Sequence, residues 1–160
     1  MYRIISLVFT GILLLACDPV GQSLDERKTI EGRTPTQESW NPVIRINSVG
    51  KENVQARAAY SAHYDSPREI LFIGKVKLDF FNLEGEHSSI MTADTGNIDE
   101  RKHLFTARGN VFLESDSGMT LSTSILYWHE DDESIYTDQP IVLTTLTDTL
   151  YGVGFESDAN

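Results

Sequence analysis

An apolar signal of period two, running from Trp40 to the C-terminus, restricts the fold of this chain more than any other feature. Val54, Ala56, Ala58, Tyr60, Ala62 and Tyr64 alternate with Gln55, Arg57, Ala59, Ser61 and His63. Val76, Leu78 and Phe80 alternate with Lys75, Lys77 and Asp79. Leu121, Thr123, Ile125 and Tyr127 alternate with Ser122, Ser124 and Leu126, and Ile141, Leu143 and Thr145 with Val142 and Thr144. Successive side chains of a strand point to opposite faces, so each run lines one face with apolar groups. β-branched and aromatic residues are frequent, and polar turn clusters recur about every ten residues. No stretch after Trp40 carries a capped helical stripe. The expected fold class is all-β.

The same stretch holds a degenerate repeat. Each unit is a long strand, a charged turn, a short strand and a break before the next strand. The first unit runs through Ala58 to Tyr64, the turn Asp65-Ser66-Pro67-Arg68, Ile70 to Ile73 and then Gly74-Lys75-Val76. The second uses Ile90 to Ile98, Asp99-Glu100-Arg101, His103 to Ala107 and Gly109-Asn110-Val111. The third uses Met119 to Trp128, Glu130-Asp131-Asp132-Glu133, Ser134 to Thr137 and Gln139-Pro140-Ile141. A fourth begins at Thr147-Asp148-Thr149-Leu150. Units of this size suggest stacked hairpins, each covering its neighbour's apolar face.

The N-terminus reads differently. Arg3 precedes the apolar run Ile4 to Leu15, which ends in Leu14-Leu15-Ala16-Cys17. A core of about twelve residues is the length of a signal h-region and is too short to span a bilayer. Cys17 is the only cysteine, and its setting resembles the lipobox of bacterial lipoproteins. That resemblance implies cleavage before Cys17 and lipidation of its new N-terminus, a tether that does not span. Residues 1–16 are then a signal peptide. Residues 17–39, polar and rich in Gly, Pro, Ser and Thr, are a lipidated flexible tether. Residues 40–160 are the folded domain.

With a net charge of -11, nucleic acid is not an expected partner, because phosphate binding requires Lys/Arg patches. The same charge argues against electrostatic adhesion to anionic headgroups. Enzyme signatures are weak. His63, His87, His103 and His129 are scattered without metal-ligand spacing. The run His129 to Glu133 reads as a solvated hairpin turn rather than a cation site. No Gly-x-Ser-x-Gly elbow or Ser-x-x-Lys motif is present. No enzyme activity, metal or cofactor is expected.

The repeat, together with Gly118-Met119-Thr120-Leu121-Ser122-Thr123, Thr137-Asp138-Gln139-Pro140-Ile141 and Leu150-Tyr151-Gly152-Val153-Gly154-Phe155, resembles the LptC family of lipopolysaccharide-export proteins and, more broadly, OstA-like β-jellyroll domains. The resemblance covers roughly Trp40 to Asn160. It implies two facing antiparallel sheets open along one side, an open β-jellyroll, with lipid A acyl chains in the groove. It implies three partners: lipopolysaccharide, an inner-membrane lipopolysaccharide ABC transporter, and a periplasmic LptA-like bridge protein docked through edge strands. The best-known members keep a transmembrane helix where this chain carries a lipobox, which fits a lipid-anchored branch. Asp18 resembles the signal that retains enterobacterial lipoproteins at the inner membrane.

A groove for acyl chains needs a continuous apolar wall. The candidates by alternation are Ile44, Ile46, Ala58, Tyr60, Ala62 and Phe72, then Val76, Leu78, Phe80, Ile90, Leu104 and Val111, then Leu113, Leu121, Ile125, Ile141 and Leu143. A closed sandwich core needs the same set, and the pattern alone favours that reading; the resemblance points to the groove. Small Ala58, Ala62 and Ala93 among large residues would leave room for a ligand. Leu150, Gly152, Val153, Gly154 and Phe155 are expected to form a terminal edge facing the bridge protein. Trp40, Val43 and Ile44 belong to the opposite edge, facing the transporter. The alternative function is a structural or assembly lipoprotein whose closed core takes no lipid.

Overall fold

The computed structural model describes residues 32–48, 51–82 and 84–158. Cys17, the leader and the first part of the tether lie outside the described residues. The described chain is all-β. Its strands are β1 (Gln37–Trp40), β2 (Val43–Ser48), β3 (Lys51–Arg57), β4 (Tyr60–Asp65), β5 (Arg68–Phe81), β6 (His87–Asp99), β7 (Leu104–Ser115), β8 (Thr120–His129), β9 (Ser134–Thr144) and β10 (Thr149–Asp158). All pairings are antiparallel, in the order β1-β4-β5-β6-β7-β8-β9-β10, with β2 on β3 and β3 on β5.

The register makes two layers from this one path. The first half of β5 pairs with β4 (Arg68 opposite Asp65, Ile73 opposite Tyr60), and the second half with β3 (Lys77 opposite Arg57, Phe80 opposite Val54). Later strands also break part-way: between Thr92 and Thr95 in β6, Arg108 and Val111 in β7, and Val153 and Phe155 in β10. Each long strand therefore bends once and contributes to both layers. β1 runs into β2 at Asn41, and β3 into β4 at Ala58-Ala59, in the same manner. The result is an open antiparallel β-jellyroll.

The bends come from local chemistry. Gly74 and Lys75 have φ of 72° and 52°, and Gly109 and Asn110 have 76° and 44°. Left-handed residues within a ladder make a bulge that turns the strand without ending it. The breaks expected at Gly74-Lys75-Val76 and Gly109-Asn110-Val111 are thus corners inside continuous strands. At Gly109 a Cβ would sit 2.5 Å from Asp94 Oδ2. That carboxylate accepts a hydrogen bond from Asn110 Nδ2 at 2.7 Å, tying the corner of β7 to β6.

The core lies between the layers. Ile70, Phe72, Phe105, Ala107, Leu126, Trp128 and Ile135 fill it from the first layer. Val54, Ala56, Val76, Leu78, Phe80, Met91, Val111, Leu113 and Leu121 fill it from the second. Folded contacts are already present before Trp40. Pro35 is buried, the Arg33 guanidinium lies 4.4 Å from the Tyr64 ring centre and pairs with Glu69, and β1 starts at Gln37. The polar composition of residues 32–39 hides this, because their contacts are an ion pair, a cation–π contact and a ladder rather than an apolar stripe.

Candidate functional site

The second layer carries one row of side chains that crosses every strand. Ile44, Ala56, Leu78, Met91, Leu113, Leu121, Leu143 and Leu150 stand directly opposite one another in succession. Opposite residues of an antiparallel pair share a face. At roughly 4.8 Å between strands, the row is an apolar wall roughly 34 Å long. Its centre is sealed, with Met91 at 0% and Leu121 at 1% exposure. Toward β10 it emerges: Leu143 is partly buried and Leu150 is 58% exposed. Toward β2 it emerges again at Ile44, which is only partly buried.

The middle of the slot is filled by the protein's own side chains. Phe80 of the second layer meets Trp128 of the first edge to face, with ring centroids 5.7 Å apart. Gly96 has no side chain because none fits: a Cβ would lie 2.6 Å from Phe105 Cζ and 3.4 Å from Val76 Cγ1 of the other layer. The space that remains is at the tips, on the side away from the bends. There a cavity of about 190 Å³ lies between Ser89, Leu113 and Met119 of the second layer and Ile135, Phe155 and Ser157 of the first.

Both sheet edges are free within the described residues. β10 pairs with β9 alone, β1 with β4 alone and β2 with β3 alone. One side of each presents N–H and C=O groups that no other described strand takes up. β10 also exposes apolar groups, with Tyr151 at 80% and Val153 at 75%. No Pro, Lys or Arg blunts it. Trp40 and Val43 are likewise exposed at the other edge, where Trp40 packs edge-on against Tyr60.

Charge is kept outside. Asp79, buried on the outer face of the second layer, pairs with Arg57 and with Lys77 (2.9 Å), and His87 lies 3.7 Å away. His87, His103 and His129 each pair with a separate aspartate, Asp116, Asp131 and Asp132. Among the described residues no group of His, Cys, Asp and Glu can hold a metal. Asp132 accepts hydrogen bonds from the Ser134 hydroxyl and backbone N–H, which hold its carboxyl below the usual carboxylate range. It stabilises the β8–β9 turn. What the interior offers chemically is apolar burial.

The apolar wall thus runs through an open jellyroll and reaches two edges that are free among the described strands. A family model described as "Lipopolysaccharide-assembly, LptC-related" matches residues 4–160. The chain belongs to the LptC family. No curated protein sequence matches it. LptC membership carries a role in lipopolysaccharide transport and a place in the Gram-negative envelope, at the inner membrane and periplasm.

In this LptC-family domain, most residues expected to line the interior do face it. Ala58, Phe72, Val76, Leu78, Phe80, Val111, Leu113 and Leu121 belong to the core, and Ile44, Ile46, Ile141 and Leu143 pack against it. Five do not. Ile90 stands opposite Asp79 and Glu114, on the outer face, and its neighbour Met91 points inward. Leu104 stands opposite Asp99 and His129, and Phe105 takes the core position. Ile125 stands opposite exposed Arg108, while Leu126 and Trp128 point inward. Tyr60 and Ala62 stand opposite Ile73 and Leu71, on the outer face of the first layer. For Ile125, Tyr60 and Ala62 the reason is a bend that shifts the alternation by one, so a face assigned on one side of the corner is wrong on the other. Ile90 and Leu104 instead sit beside Met91 and Phe105, which take the core positions. Restarting the alternation after the bend in β8 finds Leu126 and Trp128, whereas Phe105 and Ile135 share the phase of Val111 and Ile141. Leu150, Gly152, Val153, Gly154 and Phe155 all lie in β10, and Trp40, Val43 and Ile44 lie in β1 and β2.

Proposed function

We propose that this chain is a lipid-anchored carrier that receives lipopolysaccharide from an inner-membrane ABC transporter and hands it to an LptA-like periplasmic bridge protein. The supporting observation is the row from Ile44 to Leu150, apolar throughout and emerging at both free edges. Burying acyl methylenes contributes about 0.8 kcal/mol each and has no preferred direction, which suits a cargo that must slide. β1 and β2 face the transporter, and β10 adds to the sheet of the bridge protein. The packed centre means that loading parts the layers at their tips, where serines stand beside Leu113, Met119, Ile135 and Phe155 around an existing cavity. Cys17 carries the anchor that holds the domain beside the transporter.

Photo-crosslinking residues at Leu121, Leu143 and Leu150 test the reading. Adducts with lipopolysaccharide are expected; a dry interior at every inward site would instead favour a structural lipoprotein with a closed core. Deleting residues 150–160 is expected to abolish capture of the bridge protein, and unchanged capture refutes the edge assignment. A Cys17→Ser chain is expected to leave the membrane and lose export.

A further inference from the structure

The cavity at the tips has a composition unlike the rest of the interior. Besides Leu113, Met119, Ile135 and Phe155, its wall carries Ser88, Ser89, Ser115, Ser117, Ser157 and Asp158. Among the described residues no Lys, Arg or His lines it. Ser115 and Ser117 share a hydrogen bond of 2.6 Å at the β7–β8 turn. The hydroxyl of Ser88 is buried with no hydrogen-bond partner, a group that ordinarily finds one. An anionic group entering here would lose water, gain no cation and meet the Asp158 carboxylate. A hydroxyl group would meet donors and acceptors of its own kind, because each serine offers both.

We propose that this mouth is a subsite for the uncharged, hydroxyl-bearing part of an amphiphile, and that it keeps the amphiphile's phosphate groups outside. The proposal rests on the groove reading above and adds a selection rule to it. The apolar wall takes the chains without regard to what they carry, and the serine-lined mouth decides which part of the headgroup approaches. The ligand class is an alkyl or acyl chain attached to a polyhydroxyl group. The chain's acidic balance, -11 over the whole sequence, acts in the same direction at longer range.

The test uses two probes with the same twelve-carbon chain: dodecyl maltoside and dodecyl phosphate. Each is titrated below its micelle concentration onto the full chain by calorimetry. The maltoside is expected to bind roughly tenfold more tightly or better, the range that one well-placed favourable or unfavourable polar contact moves. Ser157→Lys places a cation in the mouth from an exposed position near the end of β10. It is expected to bring the phosphate within a few-fold of the maltoside. Ser117→Lys, on the exposed β7–β8 turn, asks the same question if the first variant fails to fold. Equal binding of both probes overturns the subsite and leaves the groove intact, as does a phosphate affinity that neither lysine changes. Failure of both probes to bind overturns the groove reading and the subsite with it.

Discussion

Leu143 and Leu150 stand directly opposite each other on β9 and β10, on the same inner face, yet Leu143 packs against the core and Leu150 is 58% exposed. One strand spacing separates an interior residue from a surface one. β9 still has β8 beside it and the first layer above it. Among the described strands, β10 has a neighbour on one side only. The apolar wall therefore ends in the open rather than under a cap.

That gradient predicts unequal costs along one row. Leu121→Ala is expected to lower stability by about 2–5 kcal/mol, because it opens a cavity in a sealed site. Leu150→Ser is expected to change it by less than about 0.5 kcal/mol. Urea denaturation of the two variants measures both. Comparable losses would mean that β10 is covered.

The pair Phe80 and Trp128 holds the layers together at the centre. Phe80→Ala and Trp128→Ala are each expected to cost about 3–5 kcal/mol. A double-mutant cycle is expected to return about 0.5–1.5 kcal/mol of coupling, the value of an edge-to-face pair beyond its buried area. Strict additivity would show that the rings do not act as a contact.

Gly96 is required by space. Its missing Cβ leaves room for the Phe105 ring, which is itself 1% exposed and enclosed by the core. Gly96→Ala is expected to destabilise by about 1–3 kcal/mol through overpacking. Adding Phe105→Leu should recover part of that loss in thermal denaturation, and no recovery would reject the steric account.

Alkaline pH should loosen the first edge. Burial, with the Glu38 carboxylate that accepts the Tyr60 hydroxyl at 2.5 Å, raises the Tyr60 pKa above its ordinary value of 10.0. Unfolded chains then lose this proton before folded ones do. The stabilisation is fully present below pH 10 and is lost as pH rises from there toward the folded-state pKa. Between pH 8 and pH 11, the native chain is expected to lose more stability than Tyr60→Phe. Parallel losses would exclude Tyr60 as the source.

Much of the candidate site is legible in the residues. The runs Val76 to Phe80 and Ile141 to Thr145 keep one phase within one layer, and there alternation assigns faces correctly. Where a run crosses a bend that shifts the phase, it fails. Val54 and Ala56 face the core, but Tyr60 and Ala62, on the same unbroken period, do not, because the corner at Ala58-Ala59 intervenes. Ile90 and Leu104 fail for a different reason. Each neighbours a better-placed residue, Met91 and Phe105, and two adjacent apolar residues give alternation no basis for choosing between them.

By itself, then, the sequence determined that this protein is built from antiparallel strands, where its turns fall and which apolar segment ends the sheet. Those follow from side-chain period and turn chemistry, which act within a few residues. Only the tertiary structure decided which side of each strand faces inward, that the short and long strands of the repeat join through corners, and that the apolar wall is sealed in the middle and open at its ends. Those outcomes depend on which corners shift the strand phase and on which described strands lack a second neighbour. Both are set by residues far apart in the chain and close together in the fold.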